Sequence, residues 1–364
     1  MERWNEIEES CHGIKESLES LSDCVLAVPD ASIIGDLLNV DKMAKGEMEI
    51  HDELPNGSDS LEVGRIINHL EERGVFIPNN FNLLGKILYP TYLRDSGIPI
   101  PEFELVGLKS DKLTEDQIKR LSVGNDQDFY IIKSVRSHRG KGIKIVSEAE
   151  LSSIQTDEEV LIVQRFWWPR RENGYVRDVR VVTINGEPRD FCVRQAKEPL
   201  VDLKTGKLVE YPPSLSQVLA NVAQGGTVVK VPRRLQNRLF DLARVTCSAI
   251  KDYAIWVREK YMKANIPEKV NLGLMSVDIL LGEEGLAVCE VDTLPDLHFF
   301  PDLRRVGKPY VDYLKDQTEG GKKPVLLFQE MLGSRVRMPI SPELLEKFLE
   351  QENVPYVPFR FAFG

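Results

Sequence analysis

A chain of 364 residues, 42% apolar and 29% charged, is long enough for two or three lobes around a sizeable core. No run approaches the roughly 18 uninterrupted apolar residues of a membrane span, the opening MERWNEIEES lacks the basic-then-apolar order of a secretory signal, and five scattered cysteines without a CxxC pair disfavour a disulfide framework and zinc. A cytoplasmic protein is expected, and nucleic acid is disfavoured as the main partner: of the net charge of -10, residues 1–60 carry -11 and the remainder +1.

The first sixty residues read as an acidic helix, an apolar run at Cys24–Val28 that suits a strand, and a polar loop around Leu54–Ser60. Val63, Ile66, Ile67 and Leu70 then recur at helical spacing, Gly74 marks a stop, and Val75–Pro78 emerges extended. A helix around Leu83–Asp95 leads to Gly97-Ile98-Pro99-Ile100-Pro101, which its prolines keep out of a helix and which reads as a linker into a new lobe. Strands follow at Phe129–Val135, Gly142–Val146 and Val160–Phe166. Between Val179 and Arg194 two extended runs flank Asn185-Gly186, a strong hairpin signal because both turn positions need positive φ. Arg234–Lys263 carries one long apolar stripe of a helix, Val277–Leu281 and Leu286–Asp292 form a second hairpin, and a helix runs from about Pro342 to Gln351. The tail Val357–Phe363 alternates like a half-buried strand, expected to dock on the body or on a second subunit of a homo-oligomer. Helices mixed with two sequence-adjacent hairpins predict an α+β protein rather than a doubly wound parallel sheet.

The last hairpin carries the most chemistry. Taking Glu283-Glu284-Gly285 as a three-residue loop pairs Gly282 with Leu286 and places Asp278 directly across from Glu290, with Asp292 two residues further on the same face. Like charges at about 4.5–5.5 Å need compensation. A hard divalent cation supplies it, since Mg2+ takes one or two carboxylates and leaves its other positions to water and phosphate. The competing reading is of solvated strand ends, and a four-residue loop would set Asp278 and Glu290 on opposite faces.

Lys133 ends an apolar strand, where it can meet a phosphate in a cleft. It is followed by Ser134-Val-Arg-Ser137-His-Arg139-Gly140-Lys-Gly142, a polar loop whose N–H groups can close over an anion. This is no Walker A loop, since GxxxxGK[ST] is absent. A solvated basic turn and an RNA phosphate contact are the other readings of the same charges.

In order and spacing these elements resemble the ATP-grasp superfamily, nearest its ribosomal-protein glutamate ligase (RimK-like) and glutathione synthetase branch, over roughly residues 63–315. Lys133 through Ile143 looks like that family's lysine and flexible glycine loop, and Val160 through Phe166 like the strand and hinge beside adenine. Asp178-Val-Arg180 with the later Arg194 is similar to its pattern across a hairpin, and Asn221-Val-Ala-Gln-Gly225-Gly226 to its Asn-x-x-x-Gly-Gly segment. The resemblance implies an ATP-grasp fold binding nucleotide between two α+β lobes behind a small reduced N-terminal domain. Its boundaries would be 1–88 for the N-terminal domain, 89–165 for the small lobe, 166–320 for the large lobe and 321–364 for a C-terminal helix and tail.

By the same resemblance Lys86 and Lys133 hold the α/β-phosphates with the loop residues Ser137, Arg139, Gly140 and Gly142. Asp178 holds the ribose, and Gln164, Arg165 and Phe166 border the base. Arg180, Arg194 and Asn221 serve the reaction, while Asp278, Glu290 and Asp292 bind one or two Mg2+, with Mn2+ as the alternative. The implied reaction is ATP-dependent joining of a carboxylate, on a small molecule or peptide, to an amine through an acyl phosphate, releasing ADP and phosphate. A small-molecule kinase and a non-catalytic nucleotide-binding scaffold are the competing functions.

The sequence departs from the family in three places: Asp292 stands where Asn is usual, Arg165 where the hinge usually has Glu, and 197–220 form an insertion before Asn221. One conflict of register also arises. An ideal turn at Asn185-Gly186 sets Asp178 across from Val193 and turns Arg194 to the other face, unless Pro188 marks a bulge. His138 reads as solvated, Trp167-Trp168-Pro169 as packing between lobes, and Cys289 as core by strand parity; His298 is left undecided.

Overall fold

The computed structural model describes residues 25–26, 71, 76–80, 85–107, 112–122, 129–134, 142–156, 160–169, 174–230, 233–262, 270–293, 295, 297, 300, 302–318, 325–329 and 342–360. In chain order the described elements are β1 (Val25–Leu26), α1 (Gly85–Asp95), β2 (Phe103–Val106), α2 (Glu115–Ser122), β3 (Phe129–Ser134) and β4 (Lys144–Ser147). Then come β5 (Leu161–Arg165), β6 (Arg177–Ile184), β7 (Glu187–Gln195), α3 (Leu215–Val218), β8 (Thr227–Val229) and α4 (Gln236–Val257). The chain ends with β9 (Leu274–Gly282), β10 (Gly285–Asp292), α5 (Arg304–Gln317), β11 (Val325–Gln329), α6 (Pro342–Gln351) and β12 (Tyr356–Arg360). The helical periodicity at Val63–Leu70 and the acidic helix before Cys24 lie outside the described residues.

The fold is α+β, with three sheets among the described residues. A five-stranded sheet in the order β10-β9-β6-β7-β8 and a four-stranded one in the order β2-β5-β3-β4 are antiparallel throughout. The third, β1-β11-β12, is parallel and draws on both ends of the chain. Of the alternating tail, the part up to Arg360 pairs as a strand beside β11, and 361–363 lie outside the described residues.

Period-two alternation decides which side of the five-stranded sheet each helix covers. Val179, Val181, Val193, Val277 and Ile279 point one way and pack under the stripe of α4. Burying a side chain of this size contributes ~1.5–3 kcal/mol, so the contact is a principal source of cohesion. Val182, Ile184 and Cys192 point the other way, against Val306 and Tyr310 of α5. Because α5 covers only part of this second face, the remainder, carrying Asp178 and Arg180, is left to form the floor of a cavity.

The four-stranded sheet follows the same logic. Tyr130 and Ile132 pack with Leu121 of α2 and Leu151. Their neighbours Ile131 and Lys133 face the cavity from above. α4 is preceded by a 3-10 turn and continues into a π-helical turn at Arg258–Met262, where the fully buried Arg258 donates to Glu71 at 3.0 Å and to the Asn80 carbonyl at 3.1 Å.

Candidate functional site

Between the two antiparallel sheets lies a cavity of about 200 Å³. Lys133, Gln164, Ile131 and Ile162 come from the four-stranded sheet; Asp178, Arg180, Arg194, Asp278 and Glu290 come from the five-stranded one. Arg165, Phe166 and Trp167 close the hinge end, Leu219, Ala220 and Asn221 the end of the 197–220 insertion, and Tyr89 and Leu93 of α1 a third side.

Two bulges put the charged residues where they are. At the β6–β7 turn Asn185 and Gly186 take φ of 51° and 79°, and Ile184 pairs with Glu187 as a two-residue turn requires. The ladder then skips Arg189: Thr183 pairs with Pro188, but Val182 pairs with Asp190, and from there Arg180 faces Cys192 and Asp178 faces Arg194. The extra residue reverses side-chain parity for the rest of β7, so Arg194 shares the cavity face with Asp178. At the β9–β10 turn the loop has two residues, Glu283 and Glu284, not three, since Gly285 pairs with Gly282. Asp278 nevertheless faces Glu290, because a bulge between Val288 and Glu290 absorbs Cys289. Cys289, assigned to the core by simple parity, consequently lines the cavity.

The floor is an ion-pair lattice. Arg194 grips Asp178 through Nε and Nη2 at 2.7 and 2.8 Å, and its Nη2 also donates to Asp278 Oδ2 at 2.7 Å. Arg180 grips Asp278 bidentately, both bonds at 2.9 Å, and its Nη2 lies 3.9 Å from Asp292 Oδ2. Such forked pairs are short and directional. Burial would raise the Asp278 carboxyl, but Arg180 and Arg194 reverse this and hold it well below the ordinary carboxylate value. At Asp178 burial prevails and raises the carboxyl, offset in part by Arg194. Burial would lower both guanidiniums, yet the Asp278 charge keeps them raised and fully ionised. Burial lifts the Cys289 thiol to about 11, partly countered by Lys133.

At one of the three carboxylates expected to bind metal, Asp278, these contacts are made by guanidiniums. Among the described residues no three His, Cys, Asp or Glu side chains assemble into a cation cage. The like charges of Asp278 and Glu290 need compensation, as their register implied, but two guanidiniums supply it at Asp278. The pairing of β6 with β9, a contact between distant segments, sets Arg180 beside Asp278.

Elsewhere, Lys133 Nζ donates to Gln164 Oε1 at 2.9 Å across neighbouring strands. At the hinge the Arg165 N–H donates to the Glu102 carbonyl at 2.8 Å and that of Phe166 to the Phe129 carbonyl at 3.4 Å. These two donors are committed within the protein. Arg165 instead uses its side chain, pairing through Nη2 with Glu284 at the tip of the β9–β10 hairpin. Asn221 opens a 3-10 turn, its carbonyl accepting from the Gly226 N–H at 3.2 Å. A Cβ on Gly226 would collide with the Ala220 carbonyl, which explains glycine at that place. Gly142, at φ 71°, leads into β4. Lys86 falls in the first turn of α1 with its side chain outside the described residues, as are Ser137, Arg139, Gly140, His138 and His298. Sequence reasoning missed Tyr89, Leu280 and Val288, which line the cavity; alternation could have found Leu280, two residues beyond Asp278, whereas Tyr89 arrives from a distant helix.

No protein-family model and no curated protein matches the chain. Solved structures that it resembles in part include the D-cycloserine synthetase DcsG, at 11% identity over 73% of this chain and 81% of that one, with a TM-score of 0.43. Another is the ATP-grasp ligase PsnB complexed with minimal precursor, Mg and ADP, at 14% identity, 79% and 72% coverage and a TM-score of 0.43. A third is the D-alanine–D-alanine ligase from Bacillus anthracis, at 14% identity, 81% and 96% coverage and a TM-score of 0.44. Likeness at this level carries no functional inference. Among the described residues no helix is long and apolar enough to cross a membrane.

Proposed function

We propose that the chain is an ATP-dependent carboxylate–amine ligase of the ATP-grasp kind. The observation that carries this reading is the Asp178–Arg194–Asp278–Arg180 lattice on the cavity floor, with Lys133 on the opposite wall. It presents fixed cations to a space walled by Ile131, Ile162 and Leu280, a combination suited to a molecule with an apolar ring at one end and phosphates at the other. The family resemblance of Lys133, Asp178-Val-Arg180, Arg194 and Asn221 points the same way.

In this reading a substrate carboxylate oxygen attacks the γ-phosphorus of ATP as the bond to the bridging oxygen of ADP breaks. An amine then attacks the acyl carbon, loses its proton, and phosphate departs. Arg194 and Arg180, already held by carboxylates, need no reorganisation to face the charge that builds on the moving phosphoryl group. Lys133 neutralises the retained phosphates. The donor set fits Mg2+ delivered with the nucleotide better than a resident ion: Glu290 and Asp292 would hold it together with phosphate oxygens, while Asp278 is engaged by the arginines. When bound it would spread phosphoryl charge.

Turnover of a panel of carboxylates with ATP and Mg2+ in hydroxylamine tests the reading. A ligase yields a hydroxamate in step with ADP. A stable phosphorylated product with no hydroxamate would assign the site to a kinase and overturn it.

A further inference from the structure

Of the large apolar side chains that the described residues leave exposed, all but Val245 belong to the 197–220 insertion or to the strand after it: Leu203, Val209, Tyr211, Leu215 and Val228. Leu203 is 61% exposed, Tyr211 64% and Val228 40%, although Tyr211 stands with its ring 5.0 Å from that of Phe129. Isolated exposed apolar residues need no explanation, but five on one segment and the strand that follows it single that segment out.

The surface has a backbone component as well. β8 is the last strand of its sheet, and among the described residues it pairs with β7 alone. Val228 lies directly across from Arg194 and therefore shares the cavity face. The insertion itself runs into Leu219, Ala220 and Asn221 at the rim of the cavity. An open edge beside apolar side chains takes an extended chain by strand addition, with backbone bonds giving affinity and alternate side chains giving selectivity.

Charge indicates what kind of chain. Residues 197–234 carry six basic side chains against three acidic in a protein of net charge -10, and Lys197, Lys204, Lys207, Lys230 and Arg234 are exposed. We propose that this edge docks an extended acidic peptide and directs its end past Asn221 towards Arg194, making a peptide the substrate class. The substrate assignment rests on the ligase reading; the docking itself does not.

The test uses the full chain without nucleotide and two fluorescein-labelled peptides, one alternating valine with glutamate, the other valine with lysine. Fluorescence anisotropy should report binding of the glutamate peptide that weakens with added salt, and about tenfold weaker binding by the lysine peptide. The triple variant Leu203→Ser, Tyr211→Ser, Val228→Ser should bind at least about tenfold more weakly while its melting temperature and ATP affinity stay at wild-type values. Should the triple variant not melt cooperatively, Tyr211→Ser alone carries the same comparison. Equal affinity of variant and wild type, equal binding of both peptides, or no binding of either overturns the proposal. So does a wild-type dimer in sedimentation that the triple variant renders monomeric, since a second copy would then be the occupant. Peptide binding without hydroxamate formation would leave the docking surface standing and remove the ligase reading; hydroxamate formation without peptide binding would do the reverse.

Discussion

Asp178 and Arg194 share a bidentate ion pair, at 2.7 and 2.8 Å, because the β6–β7 ladder skips Arg189. Whether this one exposed residue sits in the ladder thus decides whether a guanidinium faces the cavity or the core under α4. Deleting Arg189 removes the extra residue itself and leaves Val182 across from Asp190 and Asp178 across from Arg194 in a regular ladder, so the ion pair should survive. The deletion should therefore keep a cooperative thermal transition, with a loss of about 0.5–3 kcal/mol from the altered strand geometry. Arg189→Ala keeps the bulge at an exposed position and should change stability by less than about 0.5 kcal/mol. Loss of cooperative melting in the deletion variant would contradict this account of the register.

Asp278 accepts from two guanidiniums with both oxygens, so its removal leaves more than a missing bond. Asp278→Asn keeps the shape but leaves the buried Arg180 beside a neutral amide and Arg194 with Asp178 alone, at a cost of about 3–5 kcal/mol by urea denaturation. The carboxyl is depressed below its ordinary value, so its contribution is fully present above about pH 4 and is lost only as the pH falls towards the folded-state value. The difference between wild type and variant should therefore be constant from about pH 5 to 8. A difference that shrinks across that range would mean that Asp278 is not held ionised by the arginines.

How far the sequence reveals this site depends on what each feature requires. The hairpin at Asn185-Gly186, the facing of Asp278 and Glu290, and the direction of Lys133 are legible because turn chemistry and alternation act over a few residues. Pro188 marks the neighbourhood of the first bulge, since a proline in a returning strand disturbs the ladder; nothing comparable marks the bulge at Cys289. In the last hairpin a loop one residue too long and a bulge left uncounted cancel, so the right pair is reached by the wrong route. What periodicity does not carry is contact between distant elements. The arginines on Asp278, the Arg165–Glu284 pair and the pairing of β1 with β11 are long-range, and each replaces or extends a local expectation.

Cys289 lines the cavity through its bulge, and burial lifts its thiol to about 11. Relative to an unperturbed thiol near pKa 8.5, its thiolate fraction at neutral pH is lower by about two orders of magnitude. Iodoacetamide at pH 7.5 should label it slowly, faster as the pH rises, and ATP should protect it further, as read by peptide mass mapping. Rapid labelling at neutral pH, or labelling indifferent to ATP, would place the thiol outside a cavity that takes up nucleotide.

Gly282 explains how the hinge meets the hairpin that carries Asp278. A Cβ there would lie 2.7 Å from the Trp168 carbonyl and would collide with the Trp167 indole. The Glu283 N–H donates to that same carbonyl at 3.0 Å, and Pro169 bridges to Gly282. Gly282→Ala must therefore push 167–169 off the hairpin, since the nearest atom that has to yield includes backbone. Arg165 and Glu284, which close the same junction, would separate as a result. The cost falls on the angle between the sheets and not on the lattice, because Arg180, Arg194 and Asp278 lie further down the strands. Gly282→Ala should accordingly raise the KM for ATP several-fold while leaving kcat within about a factor of three, with a loss of about 1–3 kcal/mol in stability from overpacking. Steady-state ADP release at varied ATP distinguishes the cases: a fall in kcat at unchanged KM would move the effect from the hinge to the reacting centre.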